Sequence, residues 1–356
     1  MEAEPSLGTC HRVDVGITVR VHGPAEKYHN SFSAQLMMNG ERLCPSKTDM
    51  KNLTLASEFY LMALSEDPEL QHVLFGLFLS MYLVTVLGNL LIILAVSSDP
   101  HLHTPMYLFL ANLSLADIGF ISTTVPNMIV GIQTQSRAIS YEGCLTQMSF
   151  FLIFGCMDGM LLTVMAYDPF GVLCLPLYNP VIMHPHLCSF LILMSFLVSL
   201  LDCHLHSLIM LNFPYFKDVE IANFFCDPSQ LLNLACSDTF TSNKFTCLPA
   251  AIFGVYPSIG ILFSYCKIVP SILRIPSSGG RYKAFSTCES HLSDVCFSFG
   301  TGFGVCLGSA VSHSPRKGAV ASVMYTVVTP MLNPFIYSLR NRDIKSALRS
   351  LLRKTI

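Results

Sequence analysis

The stretch HVLFGLFLSMYLVTVLGNLLIILAV, residues 72–96, has no Asp, Glu, Lys or Arg. A helix rises about 1.5 Å per residue, so roughly 20 apolar residues cross a hydrocarbon layer of about 30 Å. This stretch is long enough to do so. Six further apolar runs of similar length follow, near Met106 to Ile132, Gly143 to Tyr167, Leu187 to Leu211, Phe245 to Leu273, Ala284 to Val311 and Ala319 to Leu339. The pattern predicts an all-α fold, a seven-transmembrane helix bundle. Composition agrees: 52% of residues are hydrophobic and 12% charged, against about a quarter charged in soluble domains. A net charge of -2 offers no basic field for nucleic acid. The fourteen cysteines contain no CxxC pair, so no zinc or redox motif is evident. Trp is absent, which leaves Tyr to serve the membrane interfaces.

Three segments are expected. Residues 1–51 are mixed and polar and read as a disordered extension; 52–341 hold the seven spans; 342–356 form a short amphipathic helix and tail. In that last segment Ile344, Ala347, Leu348, Leu351 and Leu352 recur at helical spacing between basic residues, as in a helix lying on an anionic leaflet. Lys and Arg mark the cytoplasmic side. They concentrate at Lys267, Arg274, Arg281, Lys283 and from Arg340 to Lys354, whereas the other side has few outside the long amino-terminal tail. The amino terminus is therefore expected outside and the carboxyl terminus in the cytoplasm. Asn52 opens an Asn-Leu-Thr glycosylation triplet on the outer side.

Polar groups inside spans need a reason, because burying them in lipid is costly. Asn89, Asp117 and Asn333 are expected to share one hydrogen-bonded cluster, with Pro330 and Pro334 freeing backbone carbonyls beside it. Cys144 opens the third span and Cys226 lies in the long outer loop, where a bond between them would pin that loop. Asp202, Cys203, His204 and His206 are metal-ligating types without defined ligand spacing, so no metal site is assigned. No nucleophile motif, phosphate loop or HExxH pattern occurs, hence no catalytic residue, enzyme activity or cofactor is expected. A transporter would need ionisable residues along a midplane path, and beyond Asp117, Asp158 and Asp294 the spans offer few.

Several motifs occur in order: Gly88 and Asn89; LHTPMY at 102–107; LSLAD at 113–117; MAYD at 165–168; Ser264 and Tyr265; KAFSTC at 283–288 with Ser290 and His291; and PMLNPFIYSLRN at 330–341. Together they resemble the rhodopsin-like G-protein-coupled receptors, specifically the odorant (olfactory) receptor family. The resemblance implies a multi-pass plasma-membrane protein in which Cys144 and Cys226 form a disulfide. It also implies that Asp117 and Asn333 belong to a sodium and water cluster and that Tyr265 and Tyr337 are switch tyrosines. By the same analogy a small, mostly apolar odorant sits among the third, fifth, sixth and seventh spans. The candidate contacts are Phe151, Leu152, Gly155, Cys156, Phe253, Gly302, Cys306 and Thr326. The partner implied is a heterotrimeric G protein of the stimulatory, olfactory type, acting through cAMP.

Some residues depart from the family pattern. Pro169 follows Asp168 where the family has Arg, the residue that meets the G protein. Pro has neither charge nor N–H, and it restrains the preceding residue away from helix. Phe196 replaces a Trp, Phe216 replaces a cysteine that would pair with Cys236, and Asp294 puts a carboxyl where the sixth span is apolar. If it faced lipid or core, Asp294 would be neutral or badly placed. The alternative function is therefore a receptor-like chain that signals weakly or reaches the membrane poorly.

Overall fold

The computed structural model describes residues 37–38, 41–42, 57–65, 67–174, 184–212, 216, 219–235, 250–311 and 315–355. The chain divides into two units, Met1–Pro45 and Ser46–Ile356. In the first, β1 (Met37–Met38) pairs antiparallel with β2 (Glu41–Arg42). The remainder of 1–51 and the Asn52 triplet lie outside the described residues.

The second unit is a helical bundle. Its helices are α1 (Pro68–Ser98), α2 (Pro105–Thr134), α3 (Tyr141–Cys174), α4 (Pro185–Asn212) and the short α5 (Pro228–Leu234). Then come α6 (Tyr256–Leu273), preceded by a π-helical turn over Ala250–Val255, and α7 (Ser278–Val311). Pro315–Val323 (α8) and Thr329–Arg340 (α9) form one span joined by a second π turn, Met324–Val328; α10 is Arg342–Thr355. Six of these spans are long and apolar enough to cross a membrane. The seventh, α7, is equally long but carries Glu289, His291, Asp294 and Ser298. Lipid-facing leucines such as Leu77, Leu94, Leu201 and Leu262 are exposed, as a bundle solvated by hydrocarbon requires.

Several helix starts share one local device. Pro has no N–H to lose at the first helical position and its φ is already helical. Pro68, Pro105, Pro185 and Pro228 each occupy that place. Asp67 accepts a hydrogen bond from the Glu69 amide at 3.0 Å, satisfying one of the orphan donors of α1. Asp227 does the same for α5 through Ser229. Inside α9, Pro330 again lacks a donor, and the chain answers with the π turn just before it. There the Thr329 hydroxyl donates to the Met324 carbonyl at 3.0 Å.

Helix α3 packs against α2, α4, α6 and α7, and is the central element. One apolar core, with Ile92, Leu110, Leu161, Ile268 and Tyr337, fills the end of the bundle nearest α10. A second, with Phe120, Phe151, Phe225 and Val327, fills the opposite half. At the first end, Tyr107 donates to Asn341 and Asp343, each at 3.2 Å, tying α2 to the start of α10. Ile344 and Ala347 of α10 are buried while Lys345, Arg349 and Arg353 are exposed, so that helix is amphipathic as read from its sequence.

A small sheet was not foreseen. Strand β3 (Glu58–Leu61) pairs antiparallel with β4 (Ala138–Ser140) and parallel with β5 (Glu220–Ile221). Phe59 is buried beneath it, its ring 5.0 Å from Phe216 in edge-to-face contact. Phe216 thus packs an apolar cluster in the place where a cysteine was expected. Cys236 lies outside the described residues. Phe196, the substitute for Trp, is 40% exposed on α4.

Candidate functional site

The disulfide defines one end of the bundle. Cys144, near the start of α3, bonds Cys226, 82 residues away in the segment that holds β5 and α5. A side chain reinforces the attachment. The Cys226 amide donates to Gln147 Oε1 at 3.1 Å, and Gln147 Nε2 donates to the Thr123 carbonyl on α2 at 2.9 Å. Asn223 Nδ2 donates to Ser322 Oγ at 3.0 Å, so the same segment is also tied to α8.

Beneath this cover lies a cavity of about 240 Å³. Helix α3 presents Phe151, Leu152, Gly155, Cys156, Asp158 and Gly159 to it, one face by helical spacing. Asp202 and His206 come from α4, Asp227, Ser229 and Leu232 from the covering segment, and Phe253 and Gly254 from the π turn before α6. Ser298, Phe299, Gly302 and Phe303 of α7 and Tyr325 complete the wall. Phe120 packs behind it, 5.0 Å from Phe151 and 5.3 Å from Tyr325.

Of the eight candidate contacts, Phe151, Leu152, Gly155, Cys156, Phe253 and Gly302 line this cavity. Thr326 does not: it is fully buried and its hydroxyl donates to the Ser322 carbonyl at 2.8 Å. Tyr325, beside it in the π turn over Met324–Val328, lines the wall instead, where the family analogy had named Thr326. The Cys306 side chain lies outside the described residues. Sequence reading noted Asp158 only as an ionisable residue in a span, and Asp202 and His206 only as metal-ligating types, without placing them in the cavity wall. Both were legible: Asp158 follows Gly155 at i+3 on the same helix face, and Asp202 and His206 are spaced i,i+4. His206 Nδ1 is 3.4 Å from the Asp202 carboxylate and 3.0 Å from its backbone carbonyl, while His204 is exposed. Asp227 is buried, and loss of water raises its pKa, an effect reduced by the hydrogen bonds from Ser229.

Below the cavity is a polar centre. Asn333 Nδ2 donates to both Asp117 oxygens, at 3.2 and 3.0 Å. Asn89, expected in the same cluster, instead donates to the Thr85 carbonyl of its own helix at 3.2 Å. The carbonyl oxygens of Asn89 and Asn333 are buried without hydrogen-bond partners. Asp294 is not badly placed. It is completely buried, and it accepts from the Tyr337 hydroxyl at 2.9 Å and from Ser298 at 3.2 Å. Nearer α10, His291 Nε2 lies 2.9 Å from the Leu162 carbonyl, and Tyr265 lies 2.7 Å from His291 Nδ1. With the proton on Nε2, Nδ1 is the acceptor and Tyr265 the donor. This joins α3, α6 and α7.

The last turns of α3 run through Asp168 and Pro169 to Cys174. The expectation that Pro169 turns Asp168 out of the helix is therefore corrected. A proline inside a helix removes one i to i-4 bond, and the packing of a long central helix outweighs that loss. The side chains of Asp168, Pro169 and Phe170 lie outside the described residues.

Residues 78–355 match the family model described as olfactory receptor. The chain is 71% identical to olfactory receptor 7E24 of Homo sapiens over 305 residues, covering 86% of this chain and 90% of the relative. It is 67% identical to olfactory receptor 7E178 of Mus musculus over 313 residues, covering 88% and 95%. Olfactory receptor 7A10 of Homo sapiens is 58% identical over 302 residues, covering 85% and 98%.

Proposed function

Because the chain belongs to the olfactory receptor family, we propose that it binds small, mostly apolar odorants in the bundle cavity and acts on a heterotrimeric G protein of the stimulatory type, raising cAMP. The observation that carries this reading is the cavity itself: bounded by α3, α4, the π turn before α6, α7 and Tyr325, capped by the disulfide-bonded segment, and lined by Phe151, Phe253, Phe299 and Gly302. Aromatic walls with a few convergent polar groups suit a small volatile molecule held mainly by shape. In this reading the cavity opens toward the outside, Asn52 is glycosylated there, and α10 lies on the cytoplasmic leaflet of the plasma membrane.

The polar centre supplies a route between cavity and cytoplasmic face. Ser298 lines the cavity and bonds Asp294, which bonds Tyr337 on α9. A ligand shifts such a bundle only if it binds one arrangement of these helices better than the other. Pro169 favours a second reading, in which ligand binds and coupling is weak, since the position that would present a guanidinium has neither charge nor donor. The test is cAMP measured against an odorant panel in cells that display the full chain at their surface. Wild-type protein should respond weakly and Pro169→Arg several-fold more; equal, robust responses from both would remove the role assigned to this position. Surface staining of the same cells separates failure to traffic from failure to couple.

A further inference from the structure

One histidine in the cavity wall has a ring edge that the protein does not use. Asp202 and His206 both line the cavity from α4. His206 Nδ1 lies 3.0 Å from the Asp202 backbone carbonyl and 3.4 Å from its carboxylate. A carbonyl oxygen only accepts, so Nδ1 carries the proton and the neutral ring keeps its lone pair on Nε2. The two nitrogens lie on opposite edges of the imidazole, so tethering Nδ1 to the helix backbone turns Nε2 away from α4. Nε2 has no hydrogen-bond partner among the described residues. Nor is it sealed: among those residues, the partnerless side-chain oxygens closed to water belong to Asn89, Asp158, Ser264 and Asn333. The open edge of the ring therefore meets the cavity. By contrast, Asp227 accepts from Ser229, and Ser298 donates to Asp294.

We infer that His206 is a specificity-determining residue of this cavity, selecting small apolar odorants that carry a hydroxyl by accepting its O–H at Nε2. This rests on the cavity being the odorant site, as proposed above. Phe151, Phe253 and Phe299 hold the body of such a molecule by shape. The polar contact then decides between molecules of equal size. An alcohol donates to Nε2. An ether has an oxygen but no donor, so on binding it takes water from Nε2 and leaves a buried acceptor unpaired. Asp202 is a positioning residue: its carbonyl fixes the tautomer that puts the lone pair on the open edge. The volume of about 240 Å³ sets the size. It lies below the roughly 300–1,000 Å³ usual for drug-sized ligands, so the body is a short chain or a single ring.

The test uses the purified full-length protein in detergent at about pH 8, above the ordinary imidazole range, with thermal shift titrations of hexan-1-ol and its isomer methyl pentyl ether. The alcohol should bind about tenfold more tightly than the ether in the wild-type protein. His206→Phe, which keeps a ring and loses both nitrogens, should bring the two within about twofold. A merely structural role would weaken both and leave their ratio unchanged. His206→Gln, whose amide oxygen can accept in place of Nε2, should retain the preference for the alcohol. Equal binding of the two compounds to the wild-type protein, or an unchanged ratio in His206→Phe, would overturn the assignment and leave the cavity as a ligand site. No shift from either compound would overturn the cavity reading together with this one. Should His206→Phe not fold, the ratio in the wild-type protein decides.

Discussion

Asp294 shows what a single residue can and cannot reveal in sequence. Its carboxyl is visibly out of place among apolar neighbours, but its partner Tyr337 is 43 residues away, and nothing local says the two meet. Which face of α7 looks inward is settled by packing against α9, not by α7's own pattern. The structure predicts a coupled pair. Tyr337→Phe should lower stability by about 1–3 kcal/mol, because it leaves a buried carboxyl short of a donor. In an Asp294→Val background the same change should cost much less, and thermal melting of the four proteins in a double-mutant cycle checks this. Asp227, outside the membrane spans, carries a pH prediction. Its folded pKa is raised by burial, so the folded state holds the proton more tightly than the unfolded chain. Its contribution is fully present below the unfolded value of about 3.9 and is lost as pH rises through the folded pKa. Asp227→Asn, which can still cap α5, should therefore raise the melting temperature at neutral pH and make little difference near pH 3.

At the scale of elements, the spans were readable because each is a long apolar run, and the observed helices extend the expected ones by only a few residues at most ends. The sheet was not, since Glu58–Leu61 has four residues and β5 only two, too short for any alternation to register. The π turn over Met324–Val328 was equally hidden, and within it Tyr325, not Thr326, lines the cavity. Close helix approaches leave a sequence mark only as glycines. A Cβ added at Gly88 of α1 would lie 2.8 Å from Cβ of Pro334 on α9, and a proline ring cannot swing aside. Gly88→Ala should push these helices apart and cost about 1–3 kcal/mol, read as a lowered melting temperature. The last turns of α3 give the opposite lesson. Pro169 reads as a helix breaker, yet the helix continues past it to Cys174, because the tertiary packing of a long helix overrides one residue's preference.

For the whole molecule, the apolar composition and the ordered series of motifs made the membrane bundle and the family legible before any coordinates. The chemical character of the cavity was not. Six residues of its apolar wall stood among the contacts that the resemblance implied, but its carboxyls come from α3, α4 and the covering segment, and only the folded chain brings them together. The disulfide holds that segment in place across 82 residues. Cys226→Ser should cost about 2–5 kcal/mol and weaken ligand binding with it, measured as melting temperature and binding on the same purified protein. The central claim is that a small ligand occupies the cavity between α3 and α7, and filling it is the direct test. An added Cβ at Gly155 already comes within 3.1 Å of Phe120, so Gly155→Leu must either occupy the cavity or displace its back wall. For protein that reaches the cell surface at wild-type levels, binding of the ligands found for the wild-type chain should fall at least about tenfold in Gly155→Leu. Unchanged binding in that variant would contradict the account.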